Sequence, residues 1–383
     1  MGFLETCSST PMALNLNLFH FYIFVLVACF TCPIVCISSH ERSQAALFVF
    51  GDSLFDPGNN NYINTTTEFQ ANWWPYGESF FKYPTGRFSD GRLIPDFIAE
   101  YANLPLIPSY FEIDKQHFVH GVNFASGGAG CLVETHRGFV IDLKTQLKYF
   151  KNVVKLLKKK VGARESKQIL SNAVYIFSAG GNDYLAPFSS TNLTTPYPDR
   201  EYLQMIMGNL TSVLKGIYKE GGRKFVMLNM VPVDRLPNIQ ALNLQKGVKN
   251  GDFIKKITSL VKMHNSGLPE MLKQLEKQLP GFKYTLFNLF KVFSESIDNP
   301  TKYGFKTSTT ACCGTGPFRG IYTCGGKRQV KEYKLCKNVK DNLFFDSFHP
   351  SELAYKQYAE LLWNGTPDVV APYNLRSFFE LST

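Results

Sequence analysis

The chain carries little charge for its size, and nothing in it marks a second domain. Charged residues are 19% of 383, and no internal repeat, low-complexity tract or Pro/Ser-rich linker occurs. A single large domain is therefore expected behind the N-terminal segment. After residue 38 no run of 18 apolar residues occurs, so no stable membrane insertion is expected of the remainder. Several chemistries also lack their signatures. There is no Gly-Lys-Ser/Thr phosphate cradle, no spaced dinucleotide glycine fingerprint and no Gly-x-Ser-x-Gly nucleophile elbow. The cysteines beyond residue 39 have no C-x2-C knuckle, which speaks against structural zinc.

What is present is apolar and basic. At 44% hydrophobic and 14% aromatic, the chain can bury a large core and is not disordered. Net charge is +10, but the positive residues are dispersed apart from Lys158–Lys160 and Lys327–Lys331. Such a balance serves solubility, and no nucleic-acid partner is expected. It leaves association with an anionic cell-wall polymer open.

Residues 1–39 read as a secretory signal peptide and residues 40–383 as the functional domain. The run from Phe21 to Ile37 is almost wholly apolar, and Glu41 and Arg42 follow it. The run is also long enough for an uncleaved anchor, and no Lys or Arg precedes it. Cysteine usage fits secretion. Cys312, Cys313, Cys324 and Cys336 crowd one loop-like region and suggest two disulfides, with the pairing open except that Cys312–Cys313 is disfavoured. Cys131 is left odd. Sequons at Asn64, Asn192, Asn209 and Asn364 would accept glycans in the secretory pathway.

Five short apolar runs read as strands: Ala45–Phe50, Gly121–Ala125, Ala173–Phe177, Phe225–Met230 and Tyr284–Leu289. Between them, apolar residues recur at helical spacing in 142–160, 200–219 and 252–279. The alternation predicts an α/β fold with a doubly wound, mostly parallel sheet. Residues 303–342 have no period and read as a long loop pinned by cysteines.

Sites in such sheets form at the carboxyl ends of strands. The first run ends in Gly51-Asp52-Ser53, which puts a serine hydroxyl there. A serine needs a general base. Of the histidines, His264 sits on an apolar helix stripe, and His117 and His120 have no carboxylate cluster nearby for a metal site. His349 follows Asp346 by three residues, so one turn can bring carboxylate and imidazole together. Two glycine-rich segments, 123–130 and 178–183, can offer oxyanion donors, including the Asn182 amide.

Taken in order, these segments resemble the GDSL esterase/lipase family of the SGNH hydrolase superfamily, particularly its plant secreted branch. The resemblance spans roughly residues 45–379. Its blocks are Phe48–Leu54 with Asp56, Gly58 and Asn59; Gly121–Gly130; Gly181–Tyr184; and Asp346–Pro350. Pro75-Tyr76-Gly77, Pro84–Arg92 and Cys312-Cys313-Gly314 are further signatures of that branch. The resemblance implies a single-domain, three-layer α/β/α SGNH (flavodoxin-like) fold. It implies Ser53, Asp346 and His349 as triad and Ser53, Gly128 and Asn182 as oxyanion hole, with Gly127 an alternative to Gly128. The activity implied is hydrolysis of carboxylic esters, lipid esters among them, with no metal or organic cofactor required. The setting implied is extracellular, in the apoplast or cell wall. Acyl transfer by the same triad and a non-catalytic defence or binding role are the competing readings. The segment Val231–Pro237 departs from the Gly-Cys pair many members carry there, which bears on pocket shape. Trp73, Trp74, Phe80 and Phe81 are candidates for an acyl pocket.

Overall fold

The computed structural model of the protein describes residues 45–112, 118–188, 197–244 and 250–381. The signal segment, His117 and the Asn192 sequon lie outside the described residues. Among those described, no helix is long and apolar enough to cross a membrane.

The central sheet has five strands in the order β1 (Leu47–Gly51), β2 (Val174–Ser178), β3 (Lys224–Leu228), β4 (Lys283–Phe287) and β7 (Val370–Ala371). The first four are parallel, and β7 closes the β4 edge antiparallel. Every residue of β1, β2 and β3 is buried, which requires cover on both faces. Phe48, Phe50, Tyr175, Phe177 and Phe225 stack across neighbouring strands at alternate positions. Phe150 packs edge-on against this ladder.

The helices fall into two packed groups. The long helices α2 (Leu143–Asn172), α4 (Asp199–Lys219) and α6 (Asn250–Gln278) lie side by side. On the other layer α1 (Ile94–Tyr101) packs on α8 (Glu352–Asn364), which also holds α9 (Leu375–Glu380). Shorter helices α3 (Gly181–Leu185), α5 (Pro237–Asn243) and α7 (Leu289–Asp298) follow β2, β3 and β4. The result is the expected single α/β domain.

Two expectations shift. Gly121–Ala125 is not a strand but runs beside β1 through Val49 N–H to the Val122 carbonyl (3.0 Å) and Phe124 N–H to the Val49 carbonyl (2.8 Å). The pairing continues through Ser126 N–H to the Gly51 carbonyl (3.0 Å), while the Asn123 side chain donates to the Phe55 carbonyl (2.8 Å) and accepts from Ala125 N–H (2.9 Å). Helix α2 extends beyond Lys160, across a break at Gly162 (φ 84°, ψ 166°).

The loop of residues 303–342 is stapled by Cys312–Cys336 and Cys313–Cys324. A two-residue ladder, β5 (Cys313–Gly314) with β6 (Lys334–Leu335), lies between the staples. Cys131 is buried and unpaired with another cysteine.

Candidate active site

The turn after β1 is built around Gly51. It has φ 139°, and a Cβ there would fall 2.1 Å from the Ser178 carbonyl oxygen, so only glycine lets β1 end against β2. The buried Gln146 of α2 grips the same residue, accepting from Gly51 N–H (2.9 Å) and donating to its carbonyl (2.8 Å). Ser53 follows immediately. Asp56 then folds the loop back, accepting from Gly58 N–H (2.8 Å), Asn59 N–H (2.7 Å) and Gly127 N–H (2.8 Å). Asn59 donates to the Asn123 and Ala125 carbonyls, and Asn60 to that of Gly127. The asparagine run thus binds the serine turn to the glycine-rich segment.

The structure brings together Ser53, His349 and Asp346, the first two separated by 296 positions in the chain. His349 Nε2 is 2.8 Å from Ser53 Oγ. Its Nδ1 is 2.8 Å from Asp346 Oδ1 and 3.0 Å from Oδ2. Asp346 also accepts from the backbone N–H groups of Phe348 (2.9 Å) and His349 (2.8 Å) and from the Tyr76 hydroxyl (2.7 Å). Burial pushes the Asp346 carboxyl up, but the His349 charge and these hydrogen bonds outweigh it and hold it below its ordinary value. The carboxylate therefore stays ionised and fixes the ring with Nε2 toward the serine.

Ser53 and Gly128 N–H have no acceptor among the described residues. Gly127 N–H, the alternative, is committed to Asp56. Gly128 has φ 83°, and a Cβ there would meet Phe69 at 2.4 Å. The Asn182 amide donates to the Ala129 carbonyl (3.0 Å), which sets its plane and leaves its second N–H. Next to it, buried Asp183 accepts from Cys131 N–H, Leu132 N–H and Thr135 Oγ1, tying the two glycine-rich segments together. Unengaged backbone N–H groups and a side-chain amide are the donor types that an oxyanion requires.

Sequence reasoning missed the support behind Asp346. Burial, with the Asp346 charge, raises the Tyr76 hydroxyl well above its ordinary value against the pull of Arg328, so Tyr76 stays a donor. The buried Arg328 guanidinium lies 3.5 Å over the Tyr322 ring and 5.8 Å from that of Tyr76. It donates to the Cys324 carbonyl (3.2 Å), as does Trp73 Nε1 (3.0 Å). The cysteine loop therefore reaches the triad through Arg328 and Tyr76. Pro75-Tyr76-Gly77 was visible as a motif; its partner, 270 residues away, was not. The Pro84–Arg92 motif has a structural task as well. Arg87 forms a buried two-pronged pair with Asp96 (2.8 Å each) and donates to the Pro57 carbonyl, anchoring α1 to the serine loop.

Other candidates fall elsewhere. His264 is a core histidine against Tyr184, its ring pushed down to about 4 by burial. Phe80 and Phe81 stack on Arg92 and Arg87, and Trp73 packs on the disulfide loop. The rings beside His349 are Phe88, Tyr322 and Phe348. Asn64 and Asn364 are exposed, whereas Asn209 is half-buried in α4 and donates to the Met205 carbonyl (2.9 Å).

A mostly parallel sheet flanked by helices, with a Ser53–His349–Asp346 chain beside the end of β1, points to the class of ester hydrolases. Residues 47–362 match the family described as GDSL-like Lipase/Acylhydrolase. A GDSL lipase of Tanacetum cinerariifolium is 49% identical over 358 residues, covering 94% of this chain and 93% of the relative. GDSL esterase/lipase 2 of Arabidopsis thaliana is 51% identical over 344 residues, covering 89% and 91%. GDSL esterase/lipase 1 of the same plant is 48% identical, covering 91% and 94%. The chain belongs to the GDSL-like lipase/acylhydrolase family.

Proposed function

We propose that the protein is a secreted carboxylic ester hydrolase working through an acyl-enzyme on Ser53. The observation that carries this reading is the 2.8 Å contact of Ser53 Oγ with an imidazole whose other nitrogen is held by a buried, ionised Asp346. Ser53 attacks the ester carbonyl while His349 Nε2 takes its proton. Asp346 stabilises the imidazolium that results. The Ser53 and Gly128 N–H groups and the free N–H of Asn182 hold the oxyanion. His349 returns the proton to the departing alcohol, and water activated in the same way releases the acid. The cysteine staples and the exposed sequons Asn64 and Asn364 support an extracellular setting, with residues 1–39 as the signal peptide.

The test is hydrolysis of p-nitrophenyl esters by the secreted protein and its Ser53→Ala variant. Ester cleavage that disappears in the variant supports the reading. Equal cleavage by both proteins overturns the role of Ser53. Product formed only when an alcohol acceptor is present would identify acyl transfer instead.

A further inference from the structure

Gly128 joins two peptide planes, and a side chain grips each of them. The buried Asn60 amide donates to the Gly127 carbonyl (2.9 Å). In a planar trans peptide the N–H points opposite to the carbonyl, so this bond aims Gly128 N–H away from Asn60. The same amide donates to the Phe69 carbonyl (2.7 Å), and its oxygen accepts from Ser126 Oγ, which fixes its orientation. On the other plane the Gly128 carbonyl lies 2.8 Å from His136 Nδ1. A carbonyl only accepts, so Nδ1 carries the hydrogen. Burial pushes the His136 ring down from its ordinary value against the pull of this bond, so the ring is neutral at neutral pH and acts through geometry rather than charge.

The backbone of His136 is strained for this contact. Its φ is 49°, in the left-handed region that residues with bulky side chains rarely adopt. Glycine would hold such a turn without strain, as Gly138 does two residues on (φ 85°). What histidine adds is its side chain, with Nδ1 on the Gly128 carbonyl and the ring 4.6 Å from that of Phe69. Strain that the surroundings hold in place points to a functional constraint. The need for it arises at Gly128. A Cβ there would meet Phe69, so the position takes only glycine, and glycine brings rotational freedom that lets a backbone donor swing. A grip on both flanking planes removes that freedom.

We propose that His136 is a positioning residue of the oxyanion hole: its Nδ1–H holds the Gly128 carbonyl, opposite the grip of Asn60 on Gly127, and so fixes the direction of Gly128 N–H. The inference rests on the hydrolase reading above, in which that N–H receives the developing charge. Three substitutions separate the donor from the ring and from the strain. His136→Asn keeps a donor at the δ position and tolerates the left-handed backbone. His136→Phe keeps a ring against Phe69 without the donor. His136→Gly removes both and relieves the strain.

The experiment measures kcat and KM on p-nitrophenyl acetate and the inhibition constant of a trifluoromethyl ketone, with circular dichroism melts as the check on folding. The ketone reads the oxyanion directly. Ser53 Oγ bonds to its carbonyl carbon, the C=O π pair becomes the oxyanion, and the serine proton passes to His349. His136→Phe and His136→Gly should lower kcat by about tenfold, less than the 10²–10³ expected for losing a donor outright, with KM little changed. The ketone should bind more weakly by the same factor. His136→Asn should stay within about threefold of wild type on both readings. If His136→Gly does not fold, the Phe and Asn variants carry the comparison. A Phe variant that keeps its activity while the Asn variant loses it makes the ring the active element and overturns the proposal. Equal losses in all folded variants, or none, overturn it as well. Wild-type labelling by a fluorophosphonate, with Ser53→Ala as control, is run in parallel. If wild type takes the label, these outcomes leave the serine mechanism standing; if it takes none, the mechanism falls and the positioning role with it.

Discussion

Replacing Tyr76 by Phe removes one hydroxyl and leaves the ring in its packing against Trp73 and Phe345. The hydroxyl donates to Asp346 Oδ2 at 2.7 Å, inside a cluster where both groups are fully buried. A hydrogen bond to a charged group is worth about 1.5–3 kcal/mol. Asp346 is ionised throughout, and the bond strengthens only as His349 becomes positive, so only part of that value reaches the transition state. The expected loss in kcat/KM is about tenfold, with about a hundredfold as the ceiling. The direction with pH follows from the carboxyl. Tyr76 is among the groups holding Asp346 below its ordinary value. Without it the carboxylate is more basic and holds a proton on the facing imidazole more tightly, so the acid limb of activity, which reports the general base, moves up. The assay is the pH dependence of kcat/KM on p-nitrophenyl acetate, with thermal melting as the check on folding. A Tyr76→Phe protein of unchanged melting temperature, with wild-type rate and an unmoved acid limb, would refute the claim that Tyr76 positions the triad.

Removing the Asn182 amide by Asn182→Ala should lower kcat by about 10²–10³ while KM changes little, and steady-state kinetics reads both. Opening the Cys313–Cys324 staple, a separation of 11 residues, as the double serine variant should cost about 3 kcal/mol in denaturant melts and reduce activity, because Cys324 anchors Arg328 and Trp73. Burial raises the Asp52 carboxyl to about 7 against hydrogen bonds from Leu54 N–H and Ser178 Oγ. The fold therefore binds that proton more tightly than the unfolded chain, and stability from this group is lost as pH rises from about 4 to 7. An Asp52→Asn variant keeps an acceptor for both donors and removes the titration, so the melting temperature of wild type minus variant should fall across that range. A flat difference would show that Asp52 titrates as an ordinary carboxyl. His264, neutral in the fold down to about 4, contributes with the opposite sign in both proteins and cancels in the difference.

The features legible in the sequence were those written locally. Strands buried on both faces leave continuous apolar runs, which is why Leu47–Gly51, Val174–Ser178 and Lys224–Leu228 lie within two residues of expectation. Asp346 and His349 are three apart, close enough for one turn to join them. The extent of α2 was not legible because Gly162 breaks the helix and the segment beyond it is mostly exposed, with little apolar stripe to read. Gly121–Ala125 has the composition of a strand and pairs with β1 through single backbone bonds, forming isolated bridges from Asn123 to Val49 and Ser109 rather than a regular ladder. Aromatic content did not separate pocket from packing. Phe80 and Phe81 cover arginines, whereas Phe88, in the same stretch, lies on His349.

The contacts that join distant segments were beyond local reading, and they share a physical form. Asp56 to Gly127, Asp183 to Cys131, and Tyr76 to Asp346 are each a buried polar group satisfied across the chain. Such groups are costly when unpaired, so each fixes the relative position of two segments more narrowly than apolar packing would. Asp56 and Asp183 are both pushed up to about 6 by burial despite several donors. That cost accumulates in the residues that join the serine turn, the glycine-rich segment and the turn that bears Asn182. A site that needs its donors and nucleophile held to a fraction of an ångström therefore accounts for polar residues in a part of the core where apolar ones would be more stable.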